Sequence, residues 1–463
     1  MKDKLLIRFL SGVLTGVPVL THAHSLMDIY EKARMQDNQF VAAGKALEAA
    51  LEKLPQARAG LLPAIGVSAN RNLQIGEGSF SGDGYAGVPH VSREIRAWNW
   101  TAQLTQPIFR LSSWATYAQA DAQVVQAKEQ FFLAEQELIV RTAQVYFDLQ
   151  LAMQSLQVAQ AQLQAMQEQL TLAQRTFEVG TGTITDVHEA TAKHALSLAQ
   201  RVSALNDLTA KQAELEKLVG EYMALSPAPL AQISPVLEPA NVNEWLSLAM
   251  SQSPQVRIQQ AALIVAEKEV SKSTTAHAPT LDVVANRGAI YSSGALSTPA
   301  DLSTRVNSHQ TGLQLSIPLF AGGATQSKVR EALALEQKAK EELTAAQRIT
   351  SSQIKQTFAG VINGQAQVDA LEAAVEASKN SVESNKIGFK IGTRINPDVL
   401  NAEQQLYSTL RDLNKARVDA VMQALKLKAT SGTLNADDLL RLDRMMVPAP
   451  APVHLASSKR PAP

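Results

Sequence analysis

Side chains able to do covalent or metal chemistry are few in this sequence, and their spacing does not suit it. His188 and His194 are six residues apart in a helical stretch, not the four that set two imidazoles on one helix face, and no H-E-x-x-H run occurs. Both are read as surface residues. Gly82, Gly84 and Gly87 form a G-x-G-x-x-G run, but a dinucleotide fingerprint needs a helix directly after it. A second strand pattern follows here, so the run reads as a hairpin loop. Neither a G-x-S-x-G elbow nor a Walker A run is present. The absence of cysteine excludes disulfides, Cys-ligated zinc, Fe–S clusters and a cysteine-linked lipid anchor. The chain is therefore read as a non-enzyme without a cofactor, and any energy its work needs must come from a partner. Lys+Arg and Asp+Glu stand equal at 43 each, which gives no support for a nucleic-acid partner.

The polar residues with a pattern sit in two turns. Residues 177–187 read FEVGTGTITDV and residues 389–399 read FKIGTRINPDV, matched at a constant offset of 212. Each copy carries an aromatic, an apolar-Gly-Thr core (Gly180-Thr181 and Gly392-Thr393) and an Asp-Val pair (Asp186 and Asp398). Each closes one long helical pattern and opens another. A glycine at the end of an unbroken helix and before a reversal is expected in the left-handed region. The chain is thus two copies of one unit.

The elements that must position these turns follow in chain order. Residues 1–23 read as a secretory signal peptide: Lys2 and Lys4, an apolar run too short to span a bilayer, then Thr21-His22-Ala23. The first repeat, 24–220, opens with a helix over 26–59 that ends before Pro63. A period-2 strand over 65–75, a loop over 76–96 and a return strand over 98–109 come next, with Pro107 turning the chain into a helix. That helix runs over 112–178 without Gly or Pro, roughly 100 Å at ~1.5 Å per residue. Tyr117, Val124, Phe131, Leu138, Val145, Ala152, Ala159, Met166 and Ala173 repeat every seventh position, a coiled-coil seam. A shorter helix over 186–219 returns and stops at Gly220. A Pro/Ala-rich linker, 221–241, leads to the second repeat, 242–432. It has a helix over 242–275, strands over 280–291 and 308–320 with a loop over 292–307, a long helix over 324–390 and a return helix from Pro397. Pro279 and Pro318 occupy the strand–helix junctions of this half as Pro63 and Pro107 do those of the first. The last segment, 433–463, ends in a Pro/Ala-rich stretch that reads as disordered.

No stretch beyond the signal has the length and apolarity of a membrane-spanning helix, so a membrane would have to be crossed by strands. The strands alternate, carry Trp98 and Trp100, and are long enough for a barrel, but four per chain cannot close one. Several chains must contribute. Arg71 and Arg287 fall in phase with the apolar residues, about eight positions past Pro63 and Pro279. A charge there would cost ~2–4 kcal/mol at the bilayer midplane and much less near an interface. Both are expected on the outward barrel face near the outer leaflet, with lipid phosphate as partner. A non-pore structural coiled-coil protein is the alternative, and it has no need of a signal, of tryptophan-bearing alternating strands or of paired prolines at the junctions.

At this point the chain resembles the TolC-like outer-membrane channel proteins of efflux pumps and type I secretion systems. The two turns carry the resemblance, with AxxGLLPAIGVSA before the first hairpin, LTQPIF and LSIPLFAGG at the junctions, and SGTLNADDLL near the end. It implies an α+β fold: a homotrimeric channel-tunnel in which four strands per chain build a shared 12-stranded outer-membrane β-barrel, continuous with a long α-helical coiled-coil barrel in the periplasm of a Gram-negative cell. It implies a passive exit duct for an inner-membrane transporter of the ABC, RND or MFS type, joined through a periplasmic adaptor and embedded in outer-membrane lipid. The turns, with Gly180, Thr181, Gly392 and Thr393, would dock the adaptor. The periplasmic aperture would be closed there. Asp398 takes a ring position facing the pore, and Arg394 takes an arginine bonded to the first half, with Thr185 and Gln169 as matched partners. Asp186 matches a carboxylate that accepts from a tyrosine. Two departures stand out. Phe389 replaces that tyrosine and has no hydroxyl, and Asn401 replaces the second aspartate of the ring. The cargo, drug or protein, is not written in the sequence.

Overall fold

The computed structural model describes residues 24–80, 90–229, 237–297, 300 and 302–446. The signal-peptide reading, the G-x-G-x-x-G run, part of the 221–241 linker and the stretch after Met446 lie outside these residues.

Both halves run short helices, two strands, a long helix and a return helix, with three short helices in the first and two in the second. The first is α1 (Leu26–Gln36), α2 (Asn38–Leu51), α3 (Lys53–Ala59), β1 (Ala64–Ser79), β2 (His90–Arg110), α4 (Leu111–Glu178) and α5 (Ile184–Val219). The second is α6 (Val242–Gln252), α7 (Pro254–Thr275), β3 (Thr280–Ser292), β4 (Thr304–Ser316), α8 (Ala324–Lys390) and α9 (Asn396–Ser431). A further helix, α10 (Ala436–Met446), follows. No described helix is long and apolar enough to cross a membrane.

The long helices obey the heptad seam. Val124, Leu138, Ala152, Ala159, Met166 and Ala173 of α4 are buried, as are Val361, Val368, Val375 and Val382 of α8. In the second repeat the seam meets Leu413, Ala416 and Ala420 of α9. Aromatics are only 5% of the chain, so small residues fill much of this seam and let the helices approach closely. The largest apolar cluster lies where both repeats meet. Leu26, Ile29 and Tyr30 pack there with Leu138, Phe147, Leu215, Val421 and Leu439.

Both short-helix segments differ from the single helices expected over 26–59 and 242–275. Asp37 ends α1 and caps α2, its carboxylate accepting from the Phe40 N–H at 2.7 Å and from the Arg141 guanidinium of α4 at 2.9 Å. Pro254 starts α7, where its missing N–H is no loss to the ladder. Helix α10 was also not expected. Its face is strongly amphipathic in pattern, Leu439 is fully buried, and Asp438 is fixed by Lys428 at 2.7 Å and by the Asn435 N–H at 3.1 Å.

The four strands form one antiparallel sheet in the order β1-β2-β3-β4. The β1–β2 ladder runs without a break from Ala64↔Thr105 to Ser79↔His90, so much of the expected 76–96 loop is strand. In the same way β4 begins at Thr304 and ends at Ser316, before Pro318, rather than spanning 308–320. Pro107 does not end its strand. The ladder passes it through a register shift between Pro107 and Phe109 and ends at Arg110, as a proline inside a sheet requires a bulge. Arg110 and Asp282 close this corner at 2.6 Å.

Register sorts the sheet into two faces. Ile65, Val67, Trp98, Trp100, Leu104, Val283, Leu313 and Leu315 fall on one, and Ser68, Asn70, Asn99, Gln103, Asn286 and Gln310 on the other. The apolar face is bare in the single protomer: Ile65 and Val67 are each 73% exposed.

Candidate functional site

The end of the helical body opposite the sheet is built by the two turns. Each long helix stops in a Schellman motif. In the first, the Thr181 N–H donates to Thr176 O at 2.9 Å and the Gly180 N–H to Phe177 O at 3.0 Å. In the second, Thr393 donates to Gly388 O at 2.8 Å and Gly392 to Phe389 O at 3.1 Å. Thr181 and Thr393 add hydroxyl bonds to the same two carbonyls, each at 3.2 Å. Gly180 and Gly392 both have φ +77°, as their place before a reversal demands.

The turns then diverge. In the first, Thr183 caps α5 and Asp186 answers it, accepting from the Thr183 N–H at 3.0 Å and hydroxyl at 2.7 Å in a capping box. In the second, Ile395 stands at the cap and offers no hydroxyl, with Pro397 in the first turn of α9. Asp398, the counterpart of Asp186, is released from capping. Its carboxylate is half-exposed and lies 3.8 Å from the Arg394 guanidinium, which is itself exposed. This pair is worth at most ~0–1 kcal/mol. One aspartate is thus spent on local structure and the other left available.

A cleft of about 760 Å³ lies between the turns. It brings together Gln169, Thr181, Asp186, Phe389, Gly392 and Arg394, with Lys386 and Asn396. Thr185 is exposed at the start of α5. Arg394 is seated beside Asp398, and Gln169 reaches Glu403 at a long 3.5 Å, with Arg394 and Gln169 lining the same cleft. Asn401 accepts from Lys193 of α5 at 3.1 Å, and Lys193 also reaches Gln404 at 2.7 Å.

The sequence reading missed the most buried charge of this end. Glu403 is 2% exposed and takes a 2.6 Å ion pair from Lys386. One carboxylate oxygen of Glu403, one amide oxygen of Gln169 and both amide atoms of Asn396 are buried without a bond within the described chain. Burial pushes the Tyr407 hydroxyl above its ordinary pKa, helped by the Glu403 and Glu168 carboxylates, and it donates to Ala161 O at 3.3 Å. Glu403 lies five residues beyond Asp398 on α9, packed against α4 and α8. A charged residue in the phase of Val399 and Leu413 is the signal that marks it. The arrangement can narrow, charge or clamp an opening. Among the described residues no group of acidic, His or Cys side chains is placed to hold a metal.

Known proteins share this architecture. The family model for outer membrane efflux proteins matches residues 29–221 and 245–433. The alkaline protease secretion protein AprF of Pseudomonas aeruginosa is 32% identical, covering 94% of this chain and 93% of its own length. The outer membrane protein TolC of Escherichia coli is 29% identical, covering 96% and 89%. The open-state crystal structure of the Neisseria gonorrhoeae MtrE outer membrane channel superposes with a TM-score of 0.70 at 19% identity, over 89% of this chain and 90% of that one. Two matched repeats, the hairpin sheet and the paired turns all fall within the aligned residues, and this chain belongs to the outer membrane efflux protein family.

Proposed function

We infer that this protein is the outer-membrane exit duct of an efflux or type I secretion system, a passive channel whose helical body lies in the periplasm. The observation that carries the reading is one sheet with an apolar face and a polar face, joined end-on to helices roughly 100 Å long. The edge strands β1 and β4 are open in one protomer, and open edges are not tolerated in lipid. Three copies would close a barrel with the polar face inward. A periplasmic adaptor and an inner-membrane transporter supply the energy and meet the turn end. Kinship with a protease secretion protein favours a polypeptide cargo. Reconstituted in a planar bilayer, the purified protein is expected to give discrete conductance steps, and mass measurement in detergent to give a trimer. A monodisperse monomer without conductance would overturn the assembly.

The aperture reading rests on the second turn. Three Asp398 carboxylates, with Asn401 in place of a second acid, would ring the entrance and favour cations, with weaker block by polyvalent cations than a six-carboxylate ring. Asp398→Ala is expected to abolish cation preference, and Arg394→Ser to raise the conductance of the closed channel. Unchanged selectivity and conductance in both variants would place the closure elsewhere.

Adaptor docking rests on the two glycines. Gly180→Val or Gly392→Val forces a β-branched residue into the left-handed region, at a cost of ~1–2 kcal/mol or more, concentrated in one exposed turn. Each variant is expected to keep its trimer and conductance while losing export in cells. Normal export by both variants would remove the turns from the docking surface.

A further inference from the structure

The apolar face of the sheet carries a row that the duct function does not use. Arg71 stands opposite Trp98, Trp98 opposite Tyr291, and Tyr291 opposite Arg305, one residue from each strand on a single face. The Trp98 and Tyr291 rings stack with centroids 6.0 Å apart and 24° between planes. An aromatic pair is thus flanked by an arginine on each side, the Arg71 and Arg305 Cα atoms roughly 14 Å apart at one strand spacing per step. Four residues along β3, Arg287 stands on the same face opposite His309, roughly 13 Å from the row.

These three arginines are exposed, and none has an ion-pair or hydrogen-bond partner among the described residues. Arg96, also on this face, is already taken by Glu94 at 2.7 Å. The only described carboxylates on the face, Glu77 and Glu94, lie beyond the row toward the hairpin end. On the helix side of the row stand Val67, Ala102, Arg287 and His309, and beyond them the face is lined by Ile65, Leu104, Val283 and Leu313. Apolar surface nearest the helices, then Arg287, then stacked aromatics between two arginines is the sequence of environments met on leaving hydrocarbon for headgroups.

We propose that Arg71 and Arg305, flanking the Trp98–Tyr291 pair, with Arg287 below them on the same face, form an outward-facing binding site for a glycolipid of the outer leaflet that carries two phosphates. Guanidinium forks match phosphate oxygens two at a time, which suits Arg rather than Lys at each corner. Separate arginines about 14 Å apart fit phosphates on two ends of a sugar headgroup better than one phosphodiester. The aromatic pair between them offers a flat face for the sugar ring. The proposal rests on the barrel reading, since the face meets lipid only if the sheet spans the outer membrane.

The test is native mass spectrometry of the full-length assembled protein with bisphosphorylated lipid A, dephosphorylated lipid A, phosphatidylglycerol or inorganic phosphate. Bisphosphorylated lipid A is expected to stay bound to the wild-type protein, and the other three probes to leave. Arg71→Gln, Arg287→Gln and Arg305→Gln combined should weaken that binding on the order of a hundredfold while conductance stays as in the wild type. Equal retention of dephosphorylated lipid A or phosphatidylglycerol by the wild-type protein overturns the site, and that arm needs no variant. Retention of phosphate alone, or undiminished lipid A binding by the triple variant, overturns it too. Conducting protein without lipid preference sinks this site alone. Protein that neither conducts nor inserts sinks the barrel reading.

Discussion

Replacing Lys386 by Met is expected to loosen the turn end of the helical body more than any other single charge change. Glu403 is buried between α8, α9 and α4, and among the described residues Lys386 at 2.6 Å is the cation paired with it. Removing that cation leaves a carboxylate inside packed helices without compensation. Breaking a buried pair costs about 3–5 kcal/mol, and the half-exposed lysine places this case near the low end of that range. The cost falls on three elements at once, because Gln169 of α4 reaches the same carboxylate. Hydrogen exchange over 386–403 is expected to speed up sharply, and the closed channel to conduct more. Lys386→Met combined with Glu403→Leu should recover most of the lost protection, since replacing both partners by apolar groups removes the buried charge itself. If Lys386→Met leaves both exchange and conductance at wild-type levels, the pair does not clamp this end.

Gly432→Ala is expected to destabilise the protein far more than Gly220→Ala, although the two glycines occupy equivalent places in the repeats. Both cap their return helices in the left-handed region, with φ +79° and +77°. An alanine at either position costs ~1–2 kcal/mol for that conformation. Their surroundings differ. A Cβ on Gly220 meets only the Gln36 side chain, no closer than 3.7 Å. A Cβ on Gly432 drives into the backbone carbonyl of Gln252 and approaches Pro254 Cδ at 3.3 Å. Backbone at the α6–α7 break must shift, adding about 1–3 kcal/mol. Denaturant unfolding of the detergent-solubilised protein should separate the two variants by that second amount. Equal midpoints for the two would mean that the break yields freely.

Sequence by itself determined what repeats and what alternates. The constant offset between the turns, the seven-residue seam of α4 and α8 and the two-residue period of the strands are local or evenly spaced signals. Each reports which side of an element is apolar without naming what covers it. Helix ends at Glu178, Val219 and Lys390 were legible for the same reason, since glycine marks the stop within a residue or two. The strand ends were not. Gly76 and Gly78 argue for a loop by propensity, yet the partner strand holds them in the ladder by backbone bonds that any residue can make.

Tertiary structure alone decided which polar residues meet. Gln169 and Glu403 are 234 positions apart and Lys193 and Asn401 are 208 apart, so no spacing rule joins them. Asp37 looks like a mid-helix residue until Arg141 of α4 fixes it as a cap, and α10 has a place only because Lys428 and the central cluster receive it. Gly220 and Gly432 make the division plain. Their sequence neighbourhoods set the same left-handed turn, and only packing against Gln252 makes one of them irreplaceable, because a period along the chain carries no information about the volume on the far side of the backbone.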